Sequence, residues 1–263
     1  MEKITSRSNE KIKLAVSLKT DAKERKKNGL FFIEGARLCH DAVLSGINIK
    51  YFFVTEKASM KYSAETAAIT DAAERGYLIS EDVSRRLSDT VMPQGIFCLC
   101  ETIDKNESCY TIYNNGKYIA LDNIQNPDNL GAIARAAEAL GVSGLIIYDG
   151  CDIYNPKALR ASMGSLFRIP VIKTDDLPLL LREYGGKGML TAASVPDESA
   201  VKITDAELRG GVICVIGNEG AGISESVKDA CKIKVTIPMK GRAESLNAAT
   251  AAAVLIWEMM KYD

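Results

Sequence analysis

The chain has 263 residues, 47% of them hydrophobic and 25% charged, and 33 Lys and Arg against 34 Asp and Glu leave a formal net charge of −1. That is the composition of a globular protein long enough for two domains. No apolar run approaches the roughly 18 residues of a membrane span, and the amino terminus leads into charge rather than a signal core, so a cytoplasmic protein that does not cross a membrane is expected.

The first thirty residues hold nine Lys and Arg against four acids. Such a patch suits phosphates, and it suits a solvated helical face equally well. After these basic helices comes the strand Phe31-Phe32-Ile33 and a helix from about 35 to 44. It contains His40, the one histidine of the chain, for which a structural role is expected. Strands at 51–54, 77–79 and 95–100 then alternate with helices at 64–75 and 81–87, the pattern of a sheet covered by helices. Residues 101–117 turn polar, end in the turn signal Asn114-Asn115-Gly116, and read as a linker between domains 1–100 and 118–263.

The second domain has apolar strands expected at 118–121, 145–148, 169–172, 189–192, 212–216 and 233–237. Several are unbroken hydrophobic runs, as in a parallel sheet buried on both faces. The helix after the first of them has a readable start: Asn126 as N-cap, Pro127 in the first helical position and Asp128 in the positive first turn. Its apolar stripe is Leu130, Ile133, Ala134, Ala137 and Leu140, and Gly141 ends it. Seven cysteines without a CxxC pair argue against a zinc site or a disulfide framework, and one histidine leaves little material for a His-based triad.

Three polar, glycine-bearing turns lie where these strands end: Asn126-Pro127-Asp128-Asn129-Leu130-Gly131-Ala132-Ile133-Ala134-Arg135, then Gly217-Asn218-Glu219-Gly220-Ala221-Gly222, then Ile237-Pro238-Met239-Lys240-Gly241-Arg242-Ala243-Glu244-Ser245-Leu246-Asn247 before the small-residue run 248–253. Open parallel sheets bind ligands at the carboxyl ends of their strands. A dinucleotide site fits poorly, because the glycines are spaced G-x-x-G-x-G and follow the fifth strand of the domain instead of the first.

Taken together, the three turns resemble the motifs of the SpoU-type (TrmH-like) RNA 2′-O-ribose methyltransferases of the trefoil-knot superfamily. Asn-x-x-Asn-x-Gly-x-x-x-Arg is matched by Asn126, Asn129, Gly131 and Arg135. Gly-x-Glu-x-x-Gly is matched by Gly217, Glu219 and Gly222, and the third motif runs from Ile237 to Asn247. Leu159-Arg160-Ala161-Ser162-Met163-Gly164-Ser165-Leu166 resembles the family's segment before its third strand. Phe32-Ile33-Glu34-Gly35 and Gln94-Gly95-Ile96-Phe97 resemble its substrate-binding domain, a smaller α/β unit with a ribosomal-protein-like fold.

The resemblance implies a parallel-sheet α/β catalytic domain with a deep trefoil knot, a homodimer, and S-adenosylmethionine as cofactor, with no metal. The implied substrate is structured RNA, ribosomal in preference to transfer RNA. It places cofactor contacts at Gly217, Asn218, Ile237, Met239 and Leu246, where glycine and small residues allow close backbone approach. For Ile237 and Leu246, ordinary core packing is the alternative. Arg135 matches the catalytic arginine. A guanidinium stays protonated, so stabilising a developing alkoxide or gripping a phosphate is the easier chemistry for it. Asn129, Glu219, Ser245 and Asn247 complete the implied site. Asn129 and Asn247 could also be helix caps, Ser245 could orient Arg135 or the ribose, and Glu219 could position the arginine or cap its own turn. A non-catalytic RNA-binding relative is the competing reading, and the presence of all five residues argues for catalysis.

Overall fold

The structure, a computed structural model, describes residues 1–90, 92–103 and 111–261. Residues 104–110 of the expected linker therefore lie outside the described residues. The chain divides into two units, Met1–Asn106 with Tyr154–Phe167, and Glu107–Ile153 with Arg168–Asp263.

The first unit runs β1 (Glu2–Ile4), α1 (Glu10–Thr20), α2 (Ala22–Asn28), β2 (Leu30–Glu34), α3 (Ala36–Leu44), β3 (Ile49–Val54), α4 (Glu56–Lys61), α5 (Ser63–Ala72), β4 (Gly76–Ile79), α6 (Glu81–Leu87) and β5 (Ile96–Glu101). Its sheet has the order β1-β4-β3-β5-β2. β1, β4 and β3 are parallel, and β5 is antiparallel to its two neighbours. Side-chain oxygens start four of the helices: Asn9, Asp21, Thr55 and Ser80 each accept a first-turn N–H. Ile12, Ala15 and Leu18 of α1 share a core with Phe32, Phe53, Phe97 and Leu99 of the sheet. The helix expected over 64–75 stops at Ala72, because Ala73 turns extended and bridges to Ile49. β1 was not anticipated. Two of its three residues are charged, and only Ile4 is buried.

The second unit holds β6 (Lys117–Asp122), α7 (Pro127–Ala139), β7 (Gly144–Tyr148), β8 (Val171–Lys173), α9 (Leu177–Gly186), β9 (Leu190–Ser194), β10 (Val201–Lys202), β11 (Val212–Gly217), α10 (Glu225–Ala230), β12 (Ile233–Thr236) and α11 (Ala248–Met260). The intervening helix Pro156–Ser162 belongs to the first unit. All strand pairs of the second unit are parallel, in the order β10-β12-β9-β11-β6-β7-β8. Every residue of β6 is buried, as the unbroken apolar pattern requires of a strand covered on both faces. β8 begins later than expected because Pro170 has no N–H to give the ladder, although its carbonyl still accepts from Leu145 at 2.8 Å. The short edge strand β10 carries no apolar run, and the sequence did not betray it.

Burial pushes the thiols of Cys214 and Cys231 up to about 12, and the six described cysteines are free. Among the described residues no His, Cys, Asp or Glu cluster could hold a metal ion, and no helix is long and apolar enough to cross a membrane.

α11 packs against α7, with Ala252 buried on one helix and Gly131, Ala134 and Ala137 on the other. A helix of 13 residues and a strand of six both span about 20 Å. That match lets α11 be fixed at both poles of the sheet. At its carboxyl end the buried Lys117 Nζ, from the first residue of β6, donates to the Met259 carbonyl. That carbonyl is one of the acceptors a helix cannot satisfy itself. Lys117→Ala should lower unfolding free energy by roughly 2–3 kcal/mol in urea titrations, with faster amide exchange in the last turn of α11.

Candidate active site

β6 and β11 are neighbours in register from Lys117↔Val212 to Asp122↔Gly217, so the turns that follow them open side by side at the carboxyl pole. After β6, Asn123 takes a left-handed φ of 58°. The chain then enters α7 as expected: Asn126 Oδ1 accepts the Asp128 N–H at 2.9 Å, Pro127 sits in the first turn, and Gly141 (φ 82°) follows the last.

After β11, the Asn218 and Gly222 backbones bond to each other at 3.0 and 2.9 Å, closing a tight turn. A Cβ on Gly217 would lie 2.3 Å from the Gly222 carbonyl carbon and the Ile223 nitrogen. The glycine is thus required by the chain's own turn, whatever else approaches it. Asn218 spends its side chain on the same fold. Its Oδ1 accepts from Gly220 and Ala221, and its Nδ2 donates to the Asn123 carbonyl, all at 2.9 Å.

Glu219 ties the second turn to the first. Its Oε2 accepts the Gln125 N–H at 3.1 Å, and its Oε1 accepts the Asn126 N–H at 3.0 Å and Asn129 Nδ2 at 2.9 Å. Partial burial pushes this carboxyl up, but the hydrogen bonds from Asn129 and from backbone N–H groups outweigh it, and the net shift is downward. The chain of bonds then continues. Asn129, 6% exposed, accepts Asn247 Nδ2 on its Oδ1 at 3.0 Å. Asn247 Oδ1 caps α11, accepting from Ala249 at 2.9 Å and Thr250 at 3.4 Å. One atom in this chain decides the rest: a carboxylate only accepts, so Asn129 must present its NH₂ to Glu219 and its oxygen to Asn247.

Three of the expected site residues, Asn129, Glu219 and Asn247, are therefore joined directly. Arg135 and Ser245 are not. Both are exposed, and neither side chain has a hydrogen bond or ion pair among the described residues. Glu219 does not reach the arginine; it serves the turn in front of α7. From 238 to 246 the backbone makes no hydrogen bond among the described residues. Ile237, just before that segment, and Met239 and Leu246 within it are half-buried and outside the core. Unspent amides and carbonyls flanked by apolar side chains fit a molecule with a hydrogen-bonding heterocycle and an apolar body.

Residues 116–257 match the model of the SpoU rRNA methylase family, and 9–98 match that of the MRM3-like substrate-binding domain. The chain belongs to the SpoU rRNA methylase family. This SpoU chain is 31% identical to the 23S rRNA (guanosine(2553)-2′-O)-methyltransferase RlmP of Bacillus subtilis, over 98% of this chain and 99% of that one. The SpoU methyltransferase AviRb of Streptomyces viridochromogenes in complex with AdoMet superposes with a TM-score of 0.85 at 25% identity, covering 97% and 98% of the two chains. An AdoMet-bound rRNA methyltransferase from Sinorhizobium meliloti gives 0.86 at 26% identity, covering 99% and 98%. The SpoU chain is an RNA 2′-O-ribose methyltransferase.

Sequence reasoning missed one supporting pair. Asp122, the buried last residue of β6, accepts from both the N–H and the hydroxyl of Ser224 at 2.7 and 2.9 Å, fixing the far end of the second turn. Ser224, the N-cap of α10, turns its hydroxyl to Asp122 and makes no side-chain cap bond to the helix. An acid closing an apolar strand was the available signal.

Asn129→Asp would set two carboxylates against each other, at an expected cost of about 1–2 kcal/mol at pH 7. Because the folded pKa of Glu219 is lowered, its contribution in the natural protein is present above the ordinary carboxyl range, about 4.3, and is lost as pH falls through its folded value. Thermal melts from pH 7 to 3.5 should therefore bring the two proteins together as the paired carboxylates of the variant take up a proton.

Proposed function

We propose that this SpoU enzyme transfers the methyl group of S-adenosylmethionine to a ribose 2′-hydroxyl of large-subunit ribosomal RNA in the cytoplasm. The observation that carries the reading is the bonded trio Glu219, Asn129 and Asn247, which brings three separate motifs to one pole of the sheet, beside a segment whose backbone is unspent. The whole-length relationship to RlmP supports the ribosomal target.

Bound S-adenosylmethionine supplies an electrophilic methyl group on a sulfonium. Gly217, Asn218, Ile237, Met239 and Leu246 would hold it, the unspent backbone of the third motif offering hydrogen bonds and the three half-buried apolar side chains offering apolar contact. The 2′-hydroxyl must release its proton to solvent as its oxygen takes the methyl group and the C–S bond breaks, and Arg135, itself remaining protonated, would stabilise the alkoxide character that develops. Ser245, exposed and without an internal partner, orients the ribose. Glu219, Asn129 and Asn247 fix the frame in which these groups meet, so much of the rate comes from position.

We also propose that the chain is a knotted homodimer, with the third-motif segment threading a loop. Val254 and Trp257 lie one turn apart on α11 and are 37% and 64% exposed, an apolar strip suited to a second copy of the same helix.

Arg135→Ala should cut methyl transfer at least about 100-fold while calorimetry shows unchanged cofactor affinity. Labelled cofactor and ribosomal RNA should yield alkali-resistant, 2′-O-methylated dinucleotides with the natural protein. Label found only on bases would refute the ribose assignment, and full activity in Arg135→Ala would remove Arg135 from the chemistry. Trp257→Glu should convert dimer to monomer in sedimentation and lose activity with it.

A further inference from the structure

Glu34, in the first unit, is a buried carboxylate whose hydrogen-bonding capacity is largely spent. It is 8% exposed. Its Oε1 accepts the Ser88 hydroxyl and, at 3.2 Å, the Thr90 hydroxyl, and its Oε2 accepts the Asp89 N–H at 3.2 Å. Close by, Gln94 Oε1 accepts the Ala36 N–H at 2.8 Å, capping α3, which has no side-chain cap of its own. The patches Phe32-Ile33-Glu34-Gly35 and Gln94-Gly95-Ile96-Phe97, far apart in sequence, are thus the two sides of one clamp around the carboxyl end of β2.

The segment Tyr154–Phe167, with its helix α8 (Pro156–Ser162 by the numbering of the chain), is fastened to the same strand at both ends. The Tyr154 ring stacks on Phe31 at 4.8 Å and Phe167 meets the same ring at 6.0 Å. Between these anchors Arg160 comes within 4.0 Å of Glu34 Oε2, too far for a hydrogen bond. Its Nη1 is buried and donates to nothing among the described residues. Charge attraction explains why Arg160 lies here, but not why a buried N–H goes unspent, since such groups are nearly always paired. The carboxylate beside it is already occupied by Ser88, Asp89 and Thr90.

Two further cations lie on the same two elements. Lys157 is exposed one turn earlier on α8, and Arg37 is exposed in the first turn of α3, just beyond Gly35. Neither has an ion-pair partner among the described residues. Asp89, the nearest other acid in the clamp, is neutralised by Lys19 at 2.8 Å. Nη1 itself is closed to solvent, but the Arg160 side chain as a whole is 33% exposed, and a partly exposed arginine on the same elements as free cations suits phosphate oxygens.

We propose that Arg160, with Lys157 and Arg37, grips backbone phosphates of the RNA substrate, and that Glu34 is the positioning residue that holds the Arg160 guanidinium for this contact. The proposal rests on the reading of RNA as substrate.

The test is the salt dependence of binding of the full-length protein to a 23S rRNA transcript. Each phosphate contact contributes roughly 0.7–0.9 to the slope of log affinity against log salt. Arg160→Ala, Lys157→Ala and Arg37→Ala should each weaken binding and reduce that slope by about this amount, while cofactor affinity by calorimetry stays unchanged. Glu34→Gln should weaken binding without changing the slope, because the cation remains but is no longer held. A natural-protein slope retained by all three alanine variants overturns the proposal, and a lowered melting temperature in Arg160→Ala with unchanged slope marks a purely structural pair. If Arg160→Ala fails to fold, the exposed Lys157 and Arg37 decide by the same criterion. Natural protein that methylates the transcript while the slopes stay put refutes this site alone. Natural protein that neither binds nor methylates it refutes the ribosomal reading, and the site with it.

Discussion

The Glu219 carboxylate is the group on which the catalytic unit depends. It has no hydrogen to give, and that single restriction propagates. Asn129 must offer its NH₂, so its oxygen is free for Asn247, and Asn247 must then use its own oxygen to start α11. Loops after β6 and β11 are locked to the helix that follows β12, although β9 lies between β11 and β12 in the sheet. Lys117 holds the other end of α11, and the equal lengths of that helix and of β6 make both attachments possible at once.

Around this frame the polar groups divide into two kinds. Asn218, Glu219, Asn129, Asn247, Asp122 and Ser224 spend their side chains on the protein itself. Arg135, Ser245 and the backbone of 238–246 do not. A site that must bind a cofactor and a ribose needs both: groups held rigidly by a network, and groups whose donors and acceptors stay available for ligand. The downward shift of the Glu219 pKa has the same origin as the rigidity, since the N–H groups that stabilise the anion are those that hold the turns. The Glu34 clamp in the first unit is built alike, a buried carboxylate ordering two distant stretches of chain.

Several elements were legible for reasons that are local. Asn126, Pro127 and Gly141 marked both ends of α7 because caps and breakers act within one turn. The apolar strands of the second unit were visible because a strand buried on both faces has no polar positions to confuse the pattern. β1 and β10 were not, because short edge strands bury too little to constrain composition. Gly217 was singled out as a cofactor contact, whereas the backbone seen to approach it is that of Gly222 and Ile223. Glu219 was placed in the site, while its partners across the sheet could not be read from any spacing.

From the amino-acid order alone came the α/β class, the parallel sheet, the three turns at strand ends and, through their resemblance to a family, the chemistry. These follow from periodicity, capping and motif residues, all of which are properties of neighbours in sequence. Tertiary structure alone decided which of the singled-out residues bond to one another, which remain unspent, and that Tyr154–Phe167 returns to the first unit to set Arg160 beside Glu34. Those outcomes hang on contacts across tens of residues, 90 between Asn129 and Glu219 and 118 between Asn129 and Asn247. A hydrogen bond of that reach leaves no periodic trace in the chain, because its two ends are brought together only by the packing of the sheet between them.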